Sequence, residues 1–251
     1  MQVMIVIEMN FCSKFCVALL LASTPAFSAG WTAGHGDIGI AYEGGAWDLH
    51  VHLEGGTVDA VIYPDEEFEA GDIRIVLPHT TAEARPAGAA FDFIGVSAGE
   101  THWKGPQTAL EAAGDSSPFV GIATEEIELG DFIGDSITLA LTGVISAPAG
   151  GEFSLWQAGP IRYMDTADAS FANDSFAFPV GAHDHFNYSF TKPGLYELEF
   201  TASGTHVTDG FTSASEVYTF LVLPEPGSLL MLGLGAAMSV GMRNRRRSVS
   251  C

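Results

Sequence analysis

Apolar and polar residues alternate with a period of two through much of the chain, which predicts strands rather than helices. The clearest run is Trp47-Asp48-Leu49-His50-Val51-His52-Leu53, bounded by Gly44-Gly45 and Gly55-Gly56. Ile137–Thr142 alternates in the same way and stops at Gly143. Asp72–Leu77, Phe91–Val96, Tyr188–Phe190, Leu195–Ala202 and Val217–Val222 are further short runs of β-branched or aromatic residues. Lys192-Pro193-Gly194 predicts a tight turn, because Pro presets φ and Gly accepts a positive one. Asp209-Gly210 predicts the turn of a hairpin between the last two strands. Helical periodicity is confined to one turn at Thr108–Ala113, and Asp165–Asn173, rich in Asp, Ala and Ser, reads as an exposed loop. Short strands punctuated by Gly and Pro predict an all-β fold, an antiparallel β-sandwich. If the domain divides in two, Ala147–Gly151 is the seam.

The two ends break this pattern. Lys14 precedes an apolar run from Phe15 to Ala22, Ser23-Thr24-Pro25 interrupts it, and Ala26-Phe27-Ser28 supplies small residues at −3 and −1. That order predicts a secretory signal peptide with cleavage after Ser28 or Ala29, since the run is too short to span a bilayer. Met1–Glu8 fits the pattern poorly, so Met9 is as good a start as Met1. At the other end, Leu223-Pro224-Glu225-Pro226-Gly227 leads into an apolar stretch from Ser228 to Met242, closed by Arg243, Arg245, Arg246 and Arg247. As a helix rising about 1.5 Å per residue it is short for a ~30 Å hydrocarbon core. Arginines snorkel, and they fix this tail on the cytoplasmic side of the inner membrane. The three-part order of Pro-Glu-Pro, apolar helix and arginine cluster resembles the PEP-CTERM sorting signal. That resemblance implies an exosortase-type processing enzyme as partner, transient anchoring in the inner membrane, and delivery to the cell surface or extracellular matrix. The chain of 251 residues thus divides into a signal peptide (1–28), an ectodomain (29–222) and a sorting segment (223–251).

Charge narrows the partners. The whole chain carries a formal net charge of −21, and only Arg74, Arg85, Lys104, Arg162 and Lys192 are basic between the two ends. Such acidity argues against nucleic acid and against an anionic membrane surface, and it attracts cations. Cys12, Cys16 and Cys251 all fall outside the ectodomain, which therefore has no disulfide despite an oxidising destination.

Of the 8 histidines, four form two His-x-His pairs, His50/His52 and His183/His185. In a strand, residues i and i+2 share a face with Cα atoms about 6.5–7 Å apart, close enough for two imidazoles to converge on one ion. Two such pairs brought together would make a four-nitrogen site, with His35 and His206 as additional candidates. Without thiolates, a transition-metal site must be built of imidazole and carboxylate, which suits zinc, manganese or nickel. Calcium is the rival, given Asp65-Glu66-Glu67 and Glu125-Glu126, but no Asp-x-Asp-x-Asp-Gly loop is present. His79 and His102 read as surface or loop residues. No Gly-x-Ser-x-Gly elbow, His-Glu-x-x-His helix or phosphate-cradling loop occurs, so an enzyme is not expected.

Several blocks together resemble the choice-of-anchor M domain, related to an actinobacterial surface-anchored repeat. They are Gly34-His35-Gly36-Asp37-Ile38-Gly39, the Trp47–His52 run, Phe93-Ile94-Gly95-Val96 before Trp103 and Pro106-Gln107, and His183-Asp184-His185-Phe186-Asn187-Tyr188-Ser189-Phe190-Thr191-Lys192-Pro193-Gly194-Leu195-Tyr196. Tyr188 stands where the family has Trp. The resemblance covers roughly Gly34 to Val222, and its closing block is the specific part. It implies a surface protein whose relatives accompany metal-type ABC transporters and their solute-binding proteins. It also points to His35, His52, His183 and His185 as metal ligands, with His50 in second rank and Asn187 orienting a turn. The expected function is a cation-binding receptor module of zinc or manganese type. A structural or adhesive matrix protein that touches exopolysaccharide and holds no metal is the alternative. Because only neutral imidazole binds metal, affinity should weaken below pH ~6.5. The two His-x-His segments must also lie together in the fold.

Overall fold

The structure, a computed structural model, describes residues 28–168 and 170–226. The expected signal peptide up to Phe27, the apolar helix and Arg243, Arg245, Arg246 and Arg247 lie outside the described residues. In chain order the strands are β1 (Ala29–Glu43), β2 (Ala46–Leu53), β3 (Gly56–Val58), β4 (Val61–Tyr63), β5 (Glu66–Glu69) and β6 (Ile73–Leu77). After them come β7 (Ala82–Ala84), β8 (Thr101–Gly105), the helix α1 (Ala109–Asp115), β9 (Pro118–Ala123), β10 (Ser136–Ser146), β11 (Phe153–Gln157) and β12 (Ile161–Asp165). The last five are β13 (Ser175–Pro179), β14 (His183–His185), β15 (Asn187–Phe190), β16 (Gly194–His206) and β17 (Gly210–Val222).

Two sheets share one core. The smaller is antiparallel, in the order β12-β11-β15-β8-β7. The larger has 12 strands, with β13-β10-β16-β17-β6-β1-β2-β5 as its main path. Strand β9 lies beside β1 and carries β14 on its far edge. Phe153 and Phe190 of the smaller sheet meet Phe200 and Phe220 of the larger, with ring centroids 6.2 Å apart for Phe153–Phe200 and 5.3 Å for Phe190–Phe220. All four rings are essentially inaccessible to solvent. Burying these rings, together with the aliphatic residues around them, favours the joining of the two layers.

The larger sheet is mixed, not antiparallel as expected. Strand β1 runs parallel to β6 and to β9, and β17 runs parallel to β6. Turn residues mark only antiparallel pairs adjacent in sequence, such as the β16–β17 hairpin at Asp209-Gly210. A parallel pair needs a long crossover and leaves no local signature. Phe91–Val96 is also corrected: it is not a strand, and Ala89–Ile94 forms a 3-10 helix between Gly88 and Gly95, both at positive φ. Phe91 and Phe93 pack edge-on against Trp156 instead of alternating across a sheet. The helical turn is present as α1, where Glu111 N–H donates to the capping Thr108 Oγ1.

Strand β1 organises the candidate site. Its first residues pair with β3 and β6, and from Gly34 onward it pairs with β2 and β9. Gly34 has φ +84°, and a Cβ there would lie 2.3 Å from the Gly55 carbonyl oxygen, so the change of partners requires glycine. Beyond it, Ile38, Ile40, Leu49, Val51, Val120 and Ile122 all face the core. The opposite face of the five strands β14-β9-β1-β2-β5 is where polar chemistry collects.

Candidate metal centre

Backbone register arranges that face in two rows. His185, Gly121, Asp37, His52 and Glu67 pair across the five strands as one row. His183, Ala123, Gly39, His50 and Glu69 form the next. The two His-x-His pairs therefore share a face and the same two rows, yet β9 and β1 lie between them. Three strand spacings amount to about 14 Å, too far for imidazoles from both pairs to hold one ion.

His35 and Asp37, two residues apart on β1, complete the β14 half instead. His35, Asp37, His183 and His185 each offer one ligand atom, all within 4.8 Å of one another. His35 Nε2 lies 3.3 Å from His185 Nε2 and 3.7 Å from Asp37 Oδ1, and His183 Nε2 lies 2.9 Å from the same oxygen. Ligands bound tetrahedrally to zinc at 2.0–2.1 Å stand about 3.3–3.4 Å apart, the middle of this range. Asp37 is only 2% exposed, while the side chains of His35 and His183 are 24% and 23% exposed, so the cluster opens to solvent along one side. Neither Asp37 Oδ1 nor His183 Nε2 makes a hydrogen bond, although they are 2.9 Å apart. Buried polar atoms left unpaired are uncommon, and a cation would satisfy both at once.

The surroundings orient these ligands. Glu54 lies 3.0 Å from His35 Nδ1, and Glu125 lies 3.6 Å from His183 Nδ1. The Glu54 carboxylate assigns the His35 proton to Nδ1 and turns its Nε2 lone pair inward, as outer carboxylates do around bound metals, whereas Glu125 lies beyond hydrogen-bond distance of His183. Phe119 stacks on His185 with centroids 3.6 Å apart and planes 7° apart, fixing that ring. Burial, with repulsion from His35 and His183, pushes the His185 pKa down to about 4, so it stays neutral at ordinary pH. Burial raises the pKa of Asp37 against the opposing pull of His183 and His35.

Glycine makes the room. A Cβ on Gly121 would sit 2.0 Å from Asp37 Oδ1 and 3.0 Å from both His183 Nε2 and His185 Cε1. Under the ligands, only a residue without a side chain fits.

The structure thus gathers His35, His183 and His185 and gives the fourth position to Asp37. His52 stands apart on β2, its Nε2 2.8 Å from Asp65 Oδ1. Burial opposes its protonated form, but Asp65, Glu54 and Glu67 together outweigh that and raise its pKa. His50 faces Glu67 and Glu126. His206 sits in the last hairpin, where its Nδ1 accepts from Thr208 and Asp209, and its ring packs beside Tyr42. His79 is exposed, whereas His102, read from sequence as a surface residue, is wholly buried in β8 beside Glu83. Asn187 ties Gln107 to β15 through its side-chain amide. Asp37 was legible in principle, because His35-x-Asp37 has the same spacing as His-x-His.

Beyond this site, residues 222–247 match the PEP-CTERM protein-sorting motif. The match begins at the last residue of β17 and takes in Pro224, Glu225, Pro226 and the four arginines. The chain is accordingly an exported surface protein sorted and processed by an exosortase. Comparison of the chain with curated proteins and with solved structures finds no match.

Proposed function

We propose that the domain between the signal peptide and the sorting motif is a divalent-cation receptor of zinc type, its ion held by His35, Asp37, His183 and His185. The observation that carries this reading is four ligand atoms within 4.8 Å of one another, three of their separations lying between 2.9 and 3.7 Å, around a buried carboxylate that has no hydrogen bond on one oxygen. Three imidazoles and one carboxylate fill a tetrahedron and leave no position for a reactive water, which favours binding over catalysis. The resemblance to choice-of-anchor M domains supports the same direction and suggests a metal ABC transporter or its solute-binding protein as recipient. Manganese and calcium fit this centre less well than zinc, because three of its four donors are nitrogen.

Isothermal titration of zinc into the purified protein, beside a His183→Ala/His185→Ala double variant, tests the proposal. One equivalent bound by the native chain and lost in the variant supports a receptor. Binding no greater than that of a correctly folded double variant sinks the metal reading and leaves the adhesive matrix protein, with exopolysaccharide as its partner.

A further inference from the structure

The other His-x-His pair has chemistry of its own. His50 is 3% exposed, and neither of its ring nitrogens makes a hydrogen bond. Its Nε2 lies 3.2 Å from Glu126 Oε1 without hydrogen-bond geometry, and His50, Glu67 and Glu126 offer ligand atoms that lie within 4.8 Å of one another. Burying an imidazole with no hydrogen-bond partner is unfavourable unless something else takes its lone pair. A cavity of about 260 Å³ opens beside it, lined by Gly39, Ala123 and the side chains of Glu67, Glu125 and Glu126, with His52 and Asp65, already paired with each other, on its rim. Gly39 has the same role here that Gly121 has in the first centre: a Cβ on it would sit 2.2 Å from His50 Nε2.

We propose that His50, Glu67 and Glu126 form a second, independent cation site, selective for a harder ion of manganese(II) type. One nitrogen and two carboxylates are a harder donor set than three imidazoles and one carboxylate. The exposure of Glu67 and Glu126 leaves several coordination positions for water, which a six-coordinate ion requires. The second site does not depend on the first being occupied. Gly121 pairs with Asp37, and Gly39 lies two residues farther along β1, so one strand spacing and two residue rises separate the hollows by about 8 Å. Bridged two-metal centres hold their ions about 3.5–4 Å apart, so these ions share no ligand. Glu125 flanks His183 and also lines the second cavity, and its neighbour Glu126 faces His50, so the two sites adjoin without a shared ligand.

The test is a manganese(II) titration of the full chain followed by electron paramagnetic resonance. The native protein should bind about one manganese ion per chain at this site and show electron spin-echo modulation from one imidazole nitrogen. The His183→Ala/His185→Ala variant, which lacks the first centre, should retain both features. Glu67→Gln/Glu126→Gln alters two exposed carboxylates, so it should keep its thermal midpoint and its zinc binding at the first centre while manganese affinity falls at least ten-fold. Manganese bound without nitrogen modulation, unaffected by Glu67→Gln/Glu126→Gln, or absent from the folded His183→Ala/His185→Ala variant overturns the second site. A loss of zinc binding in His183→Ala/His185→Ala with manganese binding intact separates the two centres.

Discussion

Gly121→Ala is the most informative single change, because it removes no ligand. The new Cβ would lie 2.0 Å from Asp37 Oδ1, and real Cβ contacts essentially never fall under 3.0 Å, so the oxygen must retreat by at least the difference, 3.0 − 2.0 = 1.0 Å. A zinc–carboxylate bond of about 2.0–2.2 Å does not stretch that far and survive. Losing a carboxylate ligand should be at least as severe as losing an outer-shell partner, for which 10–100-fold is typical. Zinc affinity is therefore expected to fall about 100-fold or more, equivalent to about 2.7 kcal/mol. The metal-free fold should lose much less. Alanine is favoured over glycine in a strand by about 0.5–1 kcal/mol, which offsets part of an overpacking cost of about 1–3 kcal/mol.

Competition with a chromophoric chelator measures the affinity, and thermal unfolding in EDTA measures the metal-free stability. Gly71→Ala is the control, since a Cβ there meets nothing within 4 Å. Gly121→Ala with zinc affinity within three-fold of the native value would refute the placement of the ion above Gly121. A loss of affinity matched by Gly71→Ala would refute the steric reasoning.

Three further outcomes are expected. His185, with its folded pKa pushed down to about 4, takes up its proton in the unfolded chain first as pH falls. Metal-free stability therefore drops between pH ~6.5 and ~4 by about 2–3 kcal/mol through this group and levels off below. His185→Gln should remove that component from urea unfolding curves, and an unchanged pH profile would count against it. Asp37, whose pKa is raised by burial, destabilises the metal-free fold at neutral pH, and falling pH relieves the penalty as the carboxyl protonates. Asp37→Asn should then unfold at higher urea than the native chain in EDTA, while its zinc binding is lost; a less stable metal-free variant contradicts this. Phe220 is fully buried among Phe153, Tyr188 and Phe190, so Phe220→Ala should cost about 3–5 kcal/mol in chemical denaturation, and a cost under 1 kcal/mol would mean the sheets do not pack through it.

The parts of the fold that sequence reveals are those with local signatures. The alternation of Trp47–Leu53 gives β2 almost to the residue, and Asp209-Gly210 gives the closing hairpin. Strands β1 and β9 escape because glycine interrupts their periodicity at Gly34, Gly36, Gly39 and Gly121. Those same glycines are why the strands matter. Gly39 and Gly121 lack side chains where His50, Asp37 and His183 need the space, so the feature that hides the strands also makes the two hollows. The pairing of His35 with His183 and His185 depends on β9 running parallel to β1 and antiparallel to β14. No residue near His35 announces that arrangement, and the family resemblance points to His52, which the fold places on β2, and not to Asp37.

An ion in the first centre would also do what a disulfide does in other exported domains. Residues 29–222 contain no cysteine, and His35 and His185 are 150 residues apart in sequence. Cross-linking a loop of that length removes roughly 5 kcal/mol of denatured-state entropy on the chain-entropy view. The three-residue strand β14, paired among the described strands with β9 alone, carries His183 and His185. Under the proposed function this creates a tension, because a receptor must release what it carries. The two halves of the site are held unequally. His35 and Asp37 sit on a strand held on both sides by β2 and β9, while His183 and His185 sit on a short edge. Under that function release would go through local opening of β14, which costs less than unfolding the sheet but must also break the bonds from Gln157 Nε2 to the His185 carbonyl and to Asp184 Oδ2.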